Sequence, residues 1–334
     1  EKLYHQICHN HVDRLFNLYN SDVNPANTKP NMKEIQIEFN PQDINNAQAE
    51  SKEIDTIIIY RGLLKRLHTA TQCLIERRYS SLNVEERQII AVFIFSVTAH
   101  FVISHEFAHL YCGHCDFLNE INNKSIPLNF SSANYKLYDY VEKGDLIGEV
   151  LNEKLILQFL KNGEYLDYQT LEMNADALAM CRTIDFVLFN PYHSEAVIKL
   201  IHDKCISIDL LLCAMNITFF VLRNFMPPIF DVHFADQKHH PAFLRQIMNS
   251  QTLKKYLEEE HNIKISETTI DEHFASDEKL LCDLFYIPPI ADHYKNNLNE
   301  VFIEHEQKLR TNWNRIYDRL TPFSRTLLPP KFNL

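Results

Sequence analysis

Apolar residues recur mostly at helical spacing along this chain, and the longest such segment opens on a capping signal. In Asn83-Val84-Glu85-Glu86 the Asn83 side chain can accept from the first turn while Glu86 reaches back to the Asn83 backbone. The helix predicted from there runs through Ile89, Ile90, Val92, Phe93, Phe95, Val97, Phe101 and Val102. It ends at Gly113, a residue suited to the left-handed cap position. Apolar side chains fall on most of its faces, which predicts a helix buried in the middle of a domain.

The pattern predicts other elements around it. Residues 1–20 read as an amphipathic helix, and Ser21 to Asn31, with Pro25 and Pro30, as a loop. Glu34 to Phe39 alternates polar and apolar residues and Asp55 to Tyr60 is β-branched, so both are strand candidates for a small sheet. Helices are expected at 62–79, 145–160, 168–186, 241–260, 266–283 and 290–318. Residues 116–140, rich in Asn, Ser and Tyr with little periodicity, are expected to form a flap or an edge strand. The expected class is therefore α+β, mainly α. The Pro227-Pro228 break divides a first region, 1–226, carrying the buried helix and the sheet from a helical C-terminal region, 227–334, packed on it. The tail's stripe of Leu298, Phe302, Leu309, Trp313 and Ile316 suits that packing.

Composition narrows the class of protein. With 334 residues and 46% hydrophobic content the chain can bury one large core or two smaller ones. A net charge of −11 with no basic stripe argues against a nucleic-acid partner. Five glycines cannot build a phosphate-binding loop. The cysteines are scattered except for Cys112 and Cys115, which suggests reduced thiols and a reducing compartment. Cys112-Gly113-His114-Cys115 spells a dithiol motif, but its place at a helix C-terminus opposes a thiolate. Neither apolar run, Ile89–Ile103 or Leu210–Leu222, reaches bilayer length, and the N-terminal residues lack a signal-peptide segment. These features lead to the expectation of a cytoplasmic protein with no membrane span.

The chemistry lies inside the long helix, at His105-Glu106-Phe107-Ala108-His109. Positions i and i+4 share a helix face, so both imidazoles can reach one metal ion, with Glu106 beside them to deprotonate its water. Burying these three groups without partners would be costly, whereas a metal satisfies all of them. Zinc in hydrolases usually takes three protein ligands, so a third must come from elsewhere. Glu172 and Asp176 lie one turn apart on the predicted helix 168–186. Glu172 is expected to bind the metal and Asp176 to accept the outer ring N–H of a histidine ligand, with Ala175, Ala177 and Ala179 permitting close approach of the two helices. Glu149 and Glu153 compete for the same role. A metzincin would need Gly at 112 and His at 115, where this chain has cysteines.

The run His105-Glu106-Phe107-Ala108-His109-Leu110-Tyr111-Cys112-Gly113-His114, followed by Glu172-Met173-Asn174-Ala175-Asp176, resembles the motif pair of gluzincin metallopeptidases, among them the soluble phage-exclusion and repressor-cleaving proteases of bacteria. The resemblance implies a zincin-like catalytic lobe with Zn2+ held by His105, His109 and Glu172, Glu106 as general base and Asp176 behind a ligand. The M48-like enzymes, which this pattern also resembles, carry a downstream His-Pro followed by an Arg. Here that segment is His239-His240-Pro241-Ala242-Phe243-Leu244-Arg245, with a spacing to Arg245 that fits His239 rather than His240. An oxyanion donor is expected from His240, with His239, His233 and Tyr165 as alternatives. The resulting expectation is a zinc-dependent endopeptidase acting on a specific protein substrate, in the bacterial cytosol or delivered to a host cytosol as an effector. The alternatives are a metal-stabilised binding or sensor protein and a zinc hydrolase of small amides.

Overall fold

The computed structural model describes residues 2–19, 34–122, 128–129, 165–190, 193–201, 204–222, 240, 242–286 and 292–333. Its centre is helix α3 (Val84–Tyr111), and the capping box forms as the sequence predicts. Asn83 Oδ1 accepts from Glu86 N at 2.9 Å, and Glu86 Oε2 accepts from Asn83 N at 3.1 Å. Every residue from Phe93 to Tyr111 except Ser96 is buried. That burial follows from its neighbours: α1 (Lys2–Tyr19), α2 (Arg61–Arg78), the helix Leu166–Phe189 and the helix Lys204–Leu222 all pack on it. In chain order these last two are α5 and α7, with α4 (His114–Asn122) and α6 (Glu195–Leu200) as short helices before each. With helices α8 (Ala242–His261), α9 (Glu267–Phe285) and α10 (Asp292–Leu320), the described residues form a mainly helical fold with one small mixed sheet. The expected boundary at Pro227-Pro228 and the expected helix 145–160 lie outside the described residues.

The sheet has the order β1-β3-β2-β4, from β1 (Ile35–Asn40), β2 (Ala47–Glu50), β3 (Asp55–Tyr60) and β4 (Leu128–Asn129). β3 runs parallel to β1 and antiparallel to β2, and β4 pairs antiparallel with β2. Ile57 stands opposite Ala49 and Ile59 opposite Ala47, and all four are fully buried. The small alanines let α3 lie against this part of the sheet. β2 was not expected, because Ala-Gln-Ala-Glu has little intrinsic strand preference; pairing with β3 and burial of its alanines override propensity. A second correction concerns 116–140: its beginning is helical, in α4, while Leu128 and Asn129 do form an edge strand.

The end of α3 is locked by the chain's own tail. Gly113 has φ +74°, and a Cβ there would come within 2.4 Å of the Phe323 carbonyl. Arg325 N donates to Tyr111 O at 2.7 Å, and the Arg325 guanidinium pairs with buried Asp55. The tail therefore ties the C-terminus of the motif helix to strand β3. Gly113→Ala forces both a left-handed alanine and a backbone collision, so it is expected to destabilise the chain by at least about 2 kcal/mol. Urea denaturation checks this; a change within 0.5 kcal/mol contradicts it.

The expectation that no apolar segment is long enough to cross a bilayer is corrected by the helices as they form. Val84–Tyr111 and Cys205–Leu222 are both long and apolar enough by length and composition. In each, 78% of the most apolar stretch is buried inside the fold, as in the core helices of globular proteins.

Candidate metal centre

Two helices converge on one point in the core. One turn of α3 separates His105 from His109, and their Nε2 atoms lie 3.0 Å apart. From α5, Glu172 places Oε2 3.4 Å from His105 Nε2 and Oε1 3.3 Å from His109 Nε2. Ala175 and Ala179, both fully buried, permit this approach of α5 to α3, whereas Ala177 is only half-buried and stands off that face. Ligand atoms of His105, His109 and Glu172 all lie within 4.8 Å of one another, and the cluster could hold a metal ion. Two imidazoles and a carboxylate are a donor set of zinc hydrolases. Bonds of ~2.0–2.2 Å at tetrahedral angles place neighbouring donors about 3.3 Å apart, which is the spacing found here.

Glu106 reinforces this fit. It is fully buried, and among the described residues neither carboxylate oxygen has a hydrogen-bond partner. A carboxylate left so would carry a large desolvation cost, which a cation and its water would offset. Burial pushes the Glu106 carboxyl up to about 8, with His105 opposing and Glu172 adding to the rise.

A second layer of contacts orients the imidazoles. His105 Nδ1 lies 2.8 Å from Asp176 Oδ1, the outer-nitrogen contact expected of Asp176. Asp176 in turn accepts twice from Arg245 of α8, from Nε at 2.8 Å and from a terminal nitrogen at 2.6 Å. Burial alone would raise the Asp176 carboxyl, but the Arg245 guanidinium and then His105 outweigh it and hold it at about 2. For His105 burial acts downward, and Asp176 and Glu172 overcome it to bring the imidazole to about 9. His109 is drawn below its ordinary value by burial, with Glu172 opposing. Its Nδ1 lies 3.0 Å from His114 Nδ1, and His114 Nε2 lies 3.1 Å from Asn174 Oδ1.

His240 is buried, with Nε2 3.1 Å from Nε2 of His305 on α10. Burial and His305 push the His240 imidazole well below its ordinary value, and Asp176 and Glu172 pull the other way. The same helix fastens the start of α5: Asn312 donates to Leu166 O at 3.3 Å, Asp167 Oδ1 at 3.0 Å and Thr170 Oγ1 at 2.8 Å.

The structure thus brings together all of His105, Glu106, His109, Glu172 and Asp176. Of the alternatives, Glu149, Glu153, His233 and His239 lie outside the described residues, and Tyr165 sits half-buried at the start of α5, its ring 6.5 Å from that of Tyr168. Arg245 pairs bidentately with Asp176, while His239, the histidine its spacing fits, lies outside the described residues. His305 carried no sequence signal, while His114 and Asn174 lay inside the motifs without an assigned partner. The dithiol expectation needs one change of reason. Cys112 ends α3, but Cys115 lies in the first turn of α4; burial pushes the Cys112 thiol up to about 12 and the Cys115 thiol well above its ordinary value. All the cysteines are free thiols. No family model matches this chain, and neither a curated protein nor a solved structure matches it significantly.

Proposed function

We propose that this chain is a zinc-dependent endopeptidase with a zincin-like catalytic lobe, in keeping with the gluzincin resemblance of its two motifs. The carrying observation is a buried carboxylate, Glu106, whose oxygens have no hydrogen-bond partner among the described residues, next in the chain to His105 of a two-histidine, one-glutamate donor set. His105, His109 and Glu172 would hold the ion. The chemistry that zinc supplies when bound is Lewis acidity toward the scissile carbonyl and activation of water near neutral pH. Glu106 takes the proton from the attacking water and returns it to the leaving amine, so one carboxylate serves as base and then acid. Asp176, clamped by Arg245, keeps the His105 Nε2 lone pair pointed at the donor cluster and raises its basicity. His240, paired with His305, is the residue this proposal places toward the oxyanion. A buried donor set with a base suited to peptide hydrolysis favours a protein substrate over a purely structural ion, since a scaffold has no chemical use for Glu106.

The test is proteome digestion followed by mapping of new peptide termini. The chain loaded with one equivalent of zinc is expected to generate a small set of termini, which disappear with a chelator and return on zinc readdition. Zinc uptake without new termini supports the binding or sensor alternative, and chelator-resistant cleavage contradicts a metal centre altogether.

A further inference from the structure

We infer that His114 and Asn174 form a proton-ordered relay that fixes the ring of His109 in the tautomer able to bind metal, making them positioning residues for the proposed centre. The two histidines of the motif are held by different chemistry. Behind His105 stands a carboxylate in a charged pair with Arg245, whereas behind His109 stands a neutral chain of ring to ring to amide.

The directions along that chain follow from counting protons. Two nitrogens 3.0 Å apart, His109 Nδ1 and His114 Nδ1, share one proton between them. At the other end, His114 Nε2 faces the carbonyl oxygen of Asn174, which only accepts. The His114 proton must therefore sit on Nε2 and donate to Asn174. Its Nδ1 is then a bare acceptor, and the shared proton belongs to His109 Nδ1. That leaves the lone pair of His109 on Nε2, the atom that lies 3.0 Å from His105 Nε2 and 3.3 Å from Glu172. With the opposite order, His109 would present an N–H to the donor cluster and could not ligate.

Helix placement makes the relay possible. Gly113 turns the chain between α3 and α4, so that His114, five residues after His109, folds back against it. Asn174 stands between Glu172 and Asp176 on α5 and is buried, so one helix supplies the third donor, the carboxylate behind His105 and the amide behind His114. His114 itself is completely buried.

The inference rests on the metal-centre reading but is tested apart from catalysis. Nitrogen-15 NMR of histidine-labelled, metal-free protein is expected to show His109 protonated at Nδ1 and His114 at Nε2. Zinc affinity, measured by competition with a chromophoric chelator, is expected to fall roughly 10–100-fold in His114→Leu, the range typical of lost support behind a ligand. His114→Gln, whose carbonyl can accept from His109 while its amide donates to Asn174, is expected to stay within about threefold of wild type. Circular dichroism of the metal-free variants establishes that each is folded before binding is compared. Equal affinity in folded wild type and His114→Leu, or a His109 protonated at Nε2, overturns the relay while leaving the metal centre intact. A wild-type chain that takes up no zinc overturns the metal centre, and the relay with it.

Discussion

Glu106→Gln is expected to reduce cleavage by about 10²–10⁴-fold, the usual contribution of a positioned general base, while leaving stoichiometric zinc in place. Glutamine keeps the shape of glutamate and removes its basicity. Because Glu106 is not among the three donors, metal content should not change. Among the described residues the buried carboxylate has no hydrogen-bond partner on either oxygen, so the neutral amide relieves a desolvation cost. The metal-free variant is therefore expected to melt at or above the wild-type temperature. Kinetics on a mapped cleavage site, metal analysis and thermal melting together give the test: wild-type turnover in the variant would remove Glu106 from the mechanism. A stable, zinc-loaded, inactive variant is also the form in which to trap the substrate.

Arg245→Met should produce the largest stability loss, about 3–5 kcal/mol, because it leaves the Asp176 carboxylate buried without its main counter-charge. Asp176 and Arg245 are both buried and joined by two short hydrogen bonds, so neither can turn to water. The double variant Arg245→Met with Asp176→Asn removes both charges and is expected to recover a large part of the loss. Zinc affinity should fall in the single variant as well, since Asp176 loses the clamp that orients it toward His105 Nδ1. Urea denaturation of the metal-free proteins decides the matter; a single-variant loss below 1 kcal/mol would show that the pair is not a structural element of the centre.

The two strongest sequence signals concern α3, and both are local. The capping box at Asn83 and Glu86 and the left-handed stop at Gly113 each depend on backbone groups within three or four residues, and both form as the spacing predicts. The i, i+4 placement of His105 and His109 depends only on helix geometry. Glu172 and Asp176 were legible for the same reason, as a pair one turn apart on an apolar helix. The distant elements were harder. β2 has a sequence suited to a helix and becomes a strand only because β3 offers a partner and α3 accepts two alanines. His305 lies in a long helix with no motif around it, and only the docking of α10 brings it to His240. Arg245 stood at a spacing that fitted His239 rather than His240, and its bond to Asp176 is visible only in three dimensions.

By itself, the sequence determined a mainly helical α+β chain, a buried central helix with two histidines and a glutamate on it, and a second helix bearing carboxylates one turn apart. Tertiary structure alone decided that Glu172 and Asp176 meet those histidines, one at the inner nitrogens and one at the outer. It also decided that Arg245 pairs with Asp176 and that His114 stands between His109 and Asn174. The division follows from the range of the forces involved. Helix periodicity and capping act over a few covalently linked residues, whereas the meeting of α3, α5 and α8 depends on which apolar faces bury each other across long stretches of chain.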